Sequence, residues 1–316
     1  MPSFETSDSD GLAGTARASN KSINGIVLVD KPAGITSAEV VRQVKARVRP
    51  ARVGHLGTLD PFATGLLPIM IGQATKLADL LEHGAKEYEG AIALGIETDT
   101  LDRSGKVVRE APVPPLDSEM LARVAAAFVG RTEQVPPVFS AIKREGVPLY
   151  KLARRGEAVE PAPARTIEIF RLELRPEGGA LIRFNLECSP GTYVRSMARD
   201  IGVALGSAAH LAELRRLRSS GFSIAQAHTL EETLSRLEEG GGSEILIGMR
   251  PALGAMLEVS VNESVKRRLW NGDWMVLDGQ TLPRTGPFKI VCEEELVAIA
   301  QVGPDRRAKL LRVFQA

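Results

Sequence analysis

Apolar residues recur along this chain in two rhythms, one near every third or fourth position and one at every second. Ile23 to Val29 is a short apolar run ending in Asp30-Lys31-Pro32, which predicts a buried strand. Thr36-Ser37-Ala38-Glu39 then fits a capping box, and Val40, Val41, Val44 and Val48 follow at helical spacing. That helix turns Arg42, Lys45, Arg47 and Arg49 mostly away from its apolar stripe. Ile69 to Leu81 carries a mostly helical or mixed pattern. Lys86 to Ile96 alternates, with Tyr88, Gly90, Ile92, Leu94 and Ile96 on one face, and predicts a strand. Asp99 to Val108, with Ser104-Gly105, is a hairpin connection. Asp117 or Ser118 caps a helix bearing Leu121, Val124, Ala125 and Phe128 that stops at Gly130.

The alternating runs Thr166–Leu174 and Ala180–Cys188 form a second hairpin through Pro176 to Gly179. Ser189-Pro190-Gly191-Thr192 turns the chain, and Thr192 caps a helix carrying Val194, Met197, Ala198, Ile201 and Leu205. Arg195 stands in its first turn, off that stripe, at the end of the helix dipole that disfavours a cation. Such a position calls for an anionic partner, unless Arg195 is simply a surface residue. Leu211, Leu214 and Leu217 share a helical face beside Arg215, Arg216 and Arg218.

Both rhythms fail in four places. Residues 1–22 are rich in Ser, Ala, Gly, Asp and Glu with few large apolar groups, the composition of a disordered tail. Residues 131–165 hold Pro136-Pro137, Gly146, Pro148, Gly156 and Pro161, interleaved with Lys, Arg, Phe139 and Tyr150. A basic, aromatic-bearing insertion of that length suits a polyanion, cations meeting phosphates and rings stacking on bases. Glu238 to Glu244, with three successive glycines, has linker composition. Beyond it, residues 249–316 read as a small, mostly β domain with strand-like runs at Leu257–Val261, Trp274–Leu277, Phe288–Val291, Leu296–Val302 and Leu310–Phe314 and a helix near Glu263–Leu269.

The fourth break is Arg52 to Pro68. Gly54, Gly57, Pro61 and Gly65 prevent it from being one helix or one regular strand. It holds one imidazole, His55, and one carboxylate, Asp60, among Leu56, Leu59, Phe62, Leu66 and Leu67, which draw the loop inward. Pro61 biases Asp60 away from helical backbone. A carboxylate in such surroundings needs a partner or a task; a turn aspartate accepting backbone hydrogen bonds is the alternative.

Composition narrows the class. At 316 residues, 44% hydrophobic and 25% charged, the chain suits a soluble protein of two domains, or one with an appendage. The net charge of +1 announces no polyanion partner, but Arg42 to Arg52, Lys143 to Arg155 and Arg215 to Arg218 are local basic clusters. Cys188 and Cys292 are far apart with no secretory segment, as in a reducing, cytoplasmic setting. The four histidines show no zinc spacing, and no apolar run is long enough for a membrane.

Taken in order, Gly54-His55-Leu56-Gly57-Thr58-Leu59-Asp60-Pro61-Phe62-Ala63-Thr64-Gly65, Lys86-Glu87-Tyr88, Ser140-Ala141-Ile142-Lys143, Gly191-Thr192-Tyr193-Val194-Arg195 and Leu214-Arg215-Arg216 resemble the TruB family of bacterial tRNA pseudouridine synthases. The resemblance runs from about Ile23 to Leu217. It implies an α+β fold with a mixed, largely antiparallel central sheet flanked by helices. A catalytic domain would span 23–248, with a basic RNA-binding insertion at 131–165 (Lys143 and Arg144 among its contacts). A PUA-like RNA-binding domain would occupy 249–316.

The implied activity is conversion of uridine 55 in the tRNA T-arm to pseudouridine, by a monomer with no cofactor and no metal. Asp60 matches the catalytic aspartate and Arg195 the arginine paired with it. Tyr88 matches the tyrosine stacked on the flipped uracil, a candidate base. His55 matches the histidine filling the vacated space, and Tyr193 and Leu214 match pocket residues. Two readings from other classes remain beside this one: an RNA-binding protein that remodels tRNA without chemistry, and a glycosylase that releases the base.

Overall fold

The computed structural model describes residues 23–48, 51–140, 143–144, 147–148, 162–240, 242–277, 280–304 and 306–315. The tail 1–22, and Arg49, Tyr150, Lys151, Arg154 and Arg155 of the basic clusters, lie outside them, as do the side chains of Lys143 and Arg144.

The strands are β1 (Gly25–Lys31), β2 (Val53–His55), β3 (Thr64–Ile71), β4 (Lys86–Leu94), β5 (Ile96–Thr98), β6 (Val107–Glu110), β7 (Gly130–Gln134), β8 (Lys143–Arg144), β9 (Val147–Pro148), β10 (Arg165–Gly178), β11 (Leu181–Cys188), β12 (Ala209–Ser219), β13 (Phe222–Ser223) and β14 (His228–Thr229). A ten-stranded sheet runs β14-β1-β3-β12-β4-β11-β10-β7, with β2 added to β3 and β13 to β12. Its pairs are antiparallel except β1–β14 and β3–β12. This is the mixed, largely antiparallel sheet the resemblance implied.

Helices α1 (Ser37–Arg47), α2 (Ala78–Leu81), α3 (Ser118–Phe128), α4 (Val194–Ala204) and α5 (Leu230–Gly240) flank the strands. Val40 and Val44 of α1, Leu121 of α3 and Met197 and Ile201 of α4 enter one core with the inward residues of β3, β4, β10 and β11. Helix α1 starts where its cap predicts, Thr36 Oγ1 accepting from Glu39 N, but only half of the capping box forms. The Glu39 carboxylate binds Arg42 and Gln43 instead.

Strand β12 is the main departure from the periodic reading. Leu211, Leu214 and Leu217, expected on a helical face, lie in a strand paired with β3 on one side and β4 on the other. Bulges between Leu211 and Glu213 and between Arg216 and Arg218 each insert one residue. The buried positions therefore run 209, 211, 214, 216, 219, a spacing that counterfeits a helix. Thr64–Ile71 is likewise a strand, almost wholly buried, so the helical pattern expected over Ile69–Leu81 begins only at Gly72. Gly65, at φ +100°, lies so close to β12 that a Cβ would fall 2.4 Å from the Arg216 carbonyl oxygen. No other residue fits that crossing.

Three smaller expectations also change. Residues 131–134 belong to edge strand β7, so the insertion leaves the sheet after Gln134 and re-enters at Arg165, its register partner. Thr192 does not cap α4: its hydroxyl donates to Ser189 O, and Tyr193 takes the cap position. The stretch expected as a linker begins inside α5, and the chain after it pairs with the sheet through Ile26–Ile247 backbone bonds of 2.8 and 2.9 Å.

The C-terminal part holds α6 (Met249–Ala252), α7 (Glu263–Trp270) and a four-stranded sheet of β15 (Glu258–Ser260), β16 (Pro287–Cys292), β17 (Glu295–Val302) and β18 (Ala308–Val313). Trp274–Leu277, expected as a strand, is a 3-10 turn that packs Leu277 into this part's own core. A second cluster joins Val291, Ile299 and Phe314 to Ile26, Leu28, Leu66 and Met70 on the far face of the large sheet. Among the described residues no helix is long and apolar enough to cross a membrane.

Candidate active site

The loop between β2 and β3 is held from several sides. Buried Ser37 on α1 accepts from Leu59 N at 2.9 Å and donates to Leu59 O at 3.0 Å. Lys31, fully buried at the end of β1, donates to Pro32 O, Ile35 O and Pro61 O. Gly34 N also donates to Pro61 O. Leu56, Leu59 and Ala63 anchor the loop in the core. Between Leu59 and Pro61, both fixed in this way, Asp60 has little freedom in where its carboxylate points.

It points at Arg195. Nε and Nη2 of the guanidinium meet the two carboxylate oxygens at 2.9 and 3.2 Å, a bidentate pair. Nη2 also donates to Phe139 O and Nη1 to Thr100 O, both at 2.9 Å, and Asp102 stands 3.7 Å from Nη1. Arg195 is therefore buried, with 7% of its side chain exposed, and not the off-stripe residue the spacing of α4 suggests. The anionic partner that its place in the helix called for is Asp60, and 31% of that side chain remains open. Burial raises the Asp60 carboxyl above the ordinary carboxylate range, Arg195 pulls it down, Asp102 adds to the rise and Lys31 opposes it. The cation thus offsets burial instead of carrying Asp60 below its usual value.

Tyr88 is buried on β4, opposite Arg216 of β12, and packs in one core cluster with Leu59 and Leu214. Burial pushes its phenol up to about 12, with the Arg216 guanidinium beside it pulling the other way. A phenol held there is protonated near neutral pH, which suits a stacking wall or proton donor better than a resting base. Leu214 lies against Gly90 on β4, and its carbonyl accepts a long 3.5 Å bond from Thr64. Tyr193 is clamped by Gln134, which accepts from its N–H and donates to its C=O, and Arg165 lies 4.5 Å over its ring. His55, half-buried on β2, is lowered by burial, then by Arg216, with Glu82 raising it. A cleft of about 740 Å³ opens alongside, lined by Phe62, Thr64, Arg103, Leu214 and Arg215 among others.

Asp60, Arg195, Tyr88 and Leu214 are thus brought to one region of the sheet. The basic clusters divide: Arg215 forms a bidentate pair with Asp30, Arg42 and Arg47 pair with acids, and Arg216 is buried. Sequence reasoning missed Asp102, Lys31, Ser37, Gln134 and Arg216. Lys31 left one usable signal, a lysine closing a strand that is apolar up to Asp30. Asp102 left none beyond a turn acid two residues before Ser104-Gly105. Among the described residues no cluster of His, Cys, Asp and Glu could hold a metal.

A carboxylate fixed by a buried arginine, beside an aromatic on a mixed sheet of this order, defines the pseudouridine synthase class of folds. Solved structures share it over 92% of this chain. "Structure of H/ACA RNP bound to a substrate RNA containing 2'-deoxyuridine" aligns with a TM-score of 0.70 at 23% identity over 85% of that chain. "Crystal Structure of a Cbf5-Nop10-Gar1 Complex" aligns at 0.67 and 25%, also over 85% of that chain. The profile of the TruB family pseudouridylate synthase N-terminal domain matches residues 45–194, and that of the tRNA pseudouridylate synthase B C-terminal domain matches 195–249. Proteins named tRNA pseudouridine synthase B from Geobacter sulfurreducens and Geotalea uraniireducens are 42% and 40% identical over 304 residues. These alignments cover 92% of this chain and 100% and 98% of theirs. The chain belongs to the TruB family of pseudouridylate synthases.

Proposed function

We propose that this enzyme isomerises uridine 55 in the T-arm of tRNA to pseudouridine, working as a cytoplasmic monomer without a cofactor. The observation that carries the proposal is the Asp60–Arg195 pair, whose cation is saturated by fixed partners while its carboxylate stays partly open. In the net reaction the C1′–N1 bond breaks, a C1′–C5 bond forms, and the hydrogen on C5 is replaced by one on N1. Atoms and electrons balance with no oxidant and no second substrate. Asp60 supplies the electron pair that starts it, as nucleophile or base. Arg195 keeps that carboxylate ionised against the cost of burial.

The uracil must leave the RNA stack first, at a cost of about a few kcal/mol, and stacking on Tyr88 returns roughly 1–3 kcal/mol. His55 fills the space left behind, and Tyr193 and Leu214 close on the base. Enclosure keeps the detached uracil in place while it turns. We assign residues 23–248 to the catalytic domain, and the insertion (with Lys143 and Arg144) and the PUA-like part, 249–316, to RNA binding.

The test is incubation with unmodified tRNA followed by digestion to nucleosides. Pseudouridine at position 55 supports the assignment, unchanged uridine supports a remodelling protein, and abasic sites support a glycosylase. Charge reversal at Lys143 and Arg144 should weaken tRNA binding and flatten its salt dependence; an unchanged slope removes the insertion from the binding surface.

A further inference from the structure

Arg216 and Lys86, two cations beside the Asp60 loop, have no ion-pair partner among the described residues. Arg216 is fully buried; its Nε donates to Leu66 O at 2.7 Å and its Nη2 to Gly57 O at 3.0 Å, while buried Nη1 has no hydrogen-bond partner. Lys86 comes to the same point from β4. A Cβ on Gly57 would lie 3.3 Å from both Arg216 Nη1 and Lys86 Nζ. Gly57 has φ +77°, a backbone conformation that favours glycine, and a Cβ there would press on those two side-chain ends. His55, two residues earlier, contributes a buried Nδ1 that also lacks a hydrogen-bond partner. The acid acting on His55 and Lys86 is Glu82, which is exposed and forms no ion pair with either among the described residues. Burial, and then Arg216, hold the Lys86 ammonium below its ordinary value, as expected where cations crowd without an anion.

Unpaired buried charge and unmet donors of this kind are costly unless a ligand answers them. We propose that Lys86 and Arg216 over Gly57, with His55 two residues earlier in the chain, form a phosphodiester subsite for the substrate RNA strand, holding a phosphate that flanks the nucleotide presented to Asp60. The inference rests on the RNA-substrate reading above. Gly57 precedes Asp60 by three residues on one rigid loop, so a single element would hold the strand's backbone and attack its sugar or base. Tyr88, beside Arg216, ties this anchor to the wall on which the base stacks. Gripping the backbone there would offset part of the cost of flipping.

Lys86→Met keeps the buried stem and removes the charge, and is tested in the full chain with a tRNA transcript. Affinity should fall about tenfold, and the slope of log affinity against log salt should flatten by about one. The melting temperature should stay near wild type. The second arm uses T-arm hairpins carrying one neutral methylphosphonate, 5′ or 3′ of the target uridine. At one of these positions wild type should lose about tenfold in binding and Lys86→Met should lose nothing further. An unchanged salt slope, or equal methylphosphonate losses in the two proteins, overturns the subsite. Wild type that makes no pseudouridine would instead refute the functional reading itself, which keeps the two failures apart.

Discussion

Two bidentate aspartate–arginine pairs meet on this sheet. Asp30–Arg215 joins the end of β1 to β12, and Asp60–Arg195 joins the β2–β3 loop to α4. In the first, both side chains are about a third exposed, and each mainly satisfies the other. In the second, exposure is lopsided. The arginine is buried and spends its other donors on Thr100 and Phe139 carbonyls, while the carboxylate keeps an open side. An ion pair becomes a reactive site when one partner is fixed by third parties and the other is left with unused lone pairs. A symmetric pair of the same geometry is a brace.

Breaking each pair tests that distinction. Asp60→Asn should lower the single-turnover rate by at least about 10³-fold with tRNA affinity and melting temperature little changed. Asp30→Asn should leave the rate within a few-fold and cost roughly 0.2–1 kcal/mol of stability in urea unfolding. Residual turnover of Asp60→Asn close to wild type would falsify the reactive role.

Arg195→Lys should lose about a hundredfold in rate and little in tRNA affinity, because a point charge cannot reproduce the fork; equal losses in both would remove the pairing argument. Removing the charge altogether has a signed consequence. Burial already raises Asp60 and Arg195 pulls it down, so Arg195→Gln should raise it further. The acid limb of the rate profile should then move to higher pH, the carboxylate being the active form.

Asp102→Asn should move that limb the opposite way, because Asp102 raises Asp60. Its rate cost should be about tenfold, from loosening a contact at 3.7 Å. A limb that moves upward in both variants would mean that position and not charge governs Asp60.

The smallest effect concerns Lys31, which braces the loop under Asp60. Burial lowers it to about 8 in the fold, from 10.5. Between those values the unfolded chain binds the extra proton, so this group makes stability rise with pH there. The difference in urea midpoint between wild type and Lys31→Met should change in that direction from pH 8 to 9.5. A flat difference would mean that Lys31 keeps its proton at ordinary affinity.

Much of the architecture was legible in the residues. Strand β4 alternates, the hairpin of β10 and β11 turns at its glycines, and α3 starts at Asp117 and ends before Gly130. Reading failed where a local pattern was ambiguous and a distant strand decided it. The bulges of β12 turn a two-residue period into one resembling a helix, and only pairing with β3 and β4 distinguishes them.

The same division holds for the site. Sequence alone marked candidates, Asp60 in a Gly- and Pro-broken apolar loop, Arg195 at a helix start that wanted an anion, and Tyr88 on the inward face of a strand, and the resemblance to the TruB family joined them into one site. Those are local properties of spacing and backbone preference. Tertiary structure alone decided which charges answer one another, with Arg195 given to Asp60, Arg215 to Asp30, and Arg216 and Lys86 brought together at Gly57. Charge pairing depends on distance and burial, and both are set by segments more than a hundred residues apart.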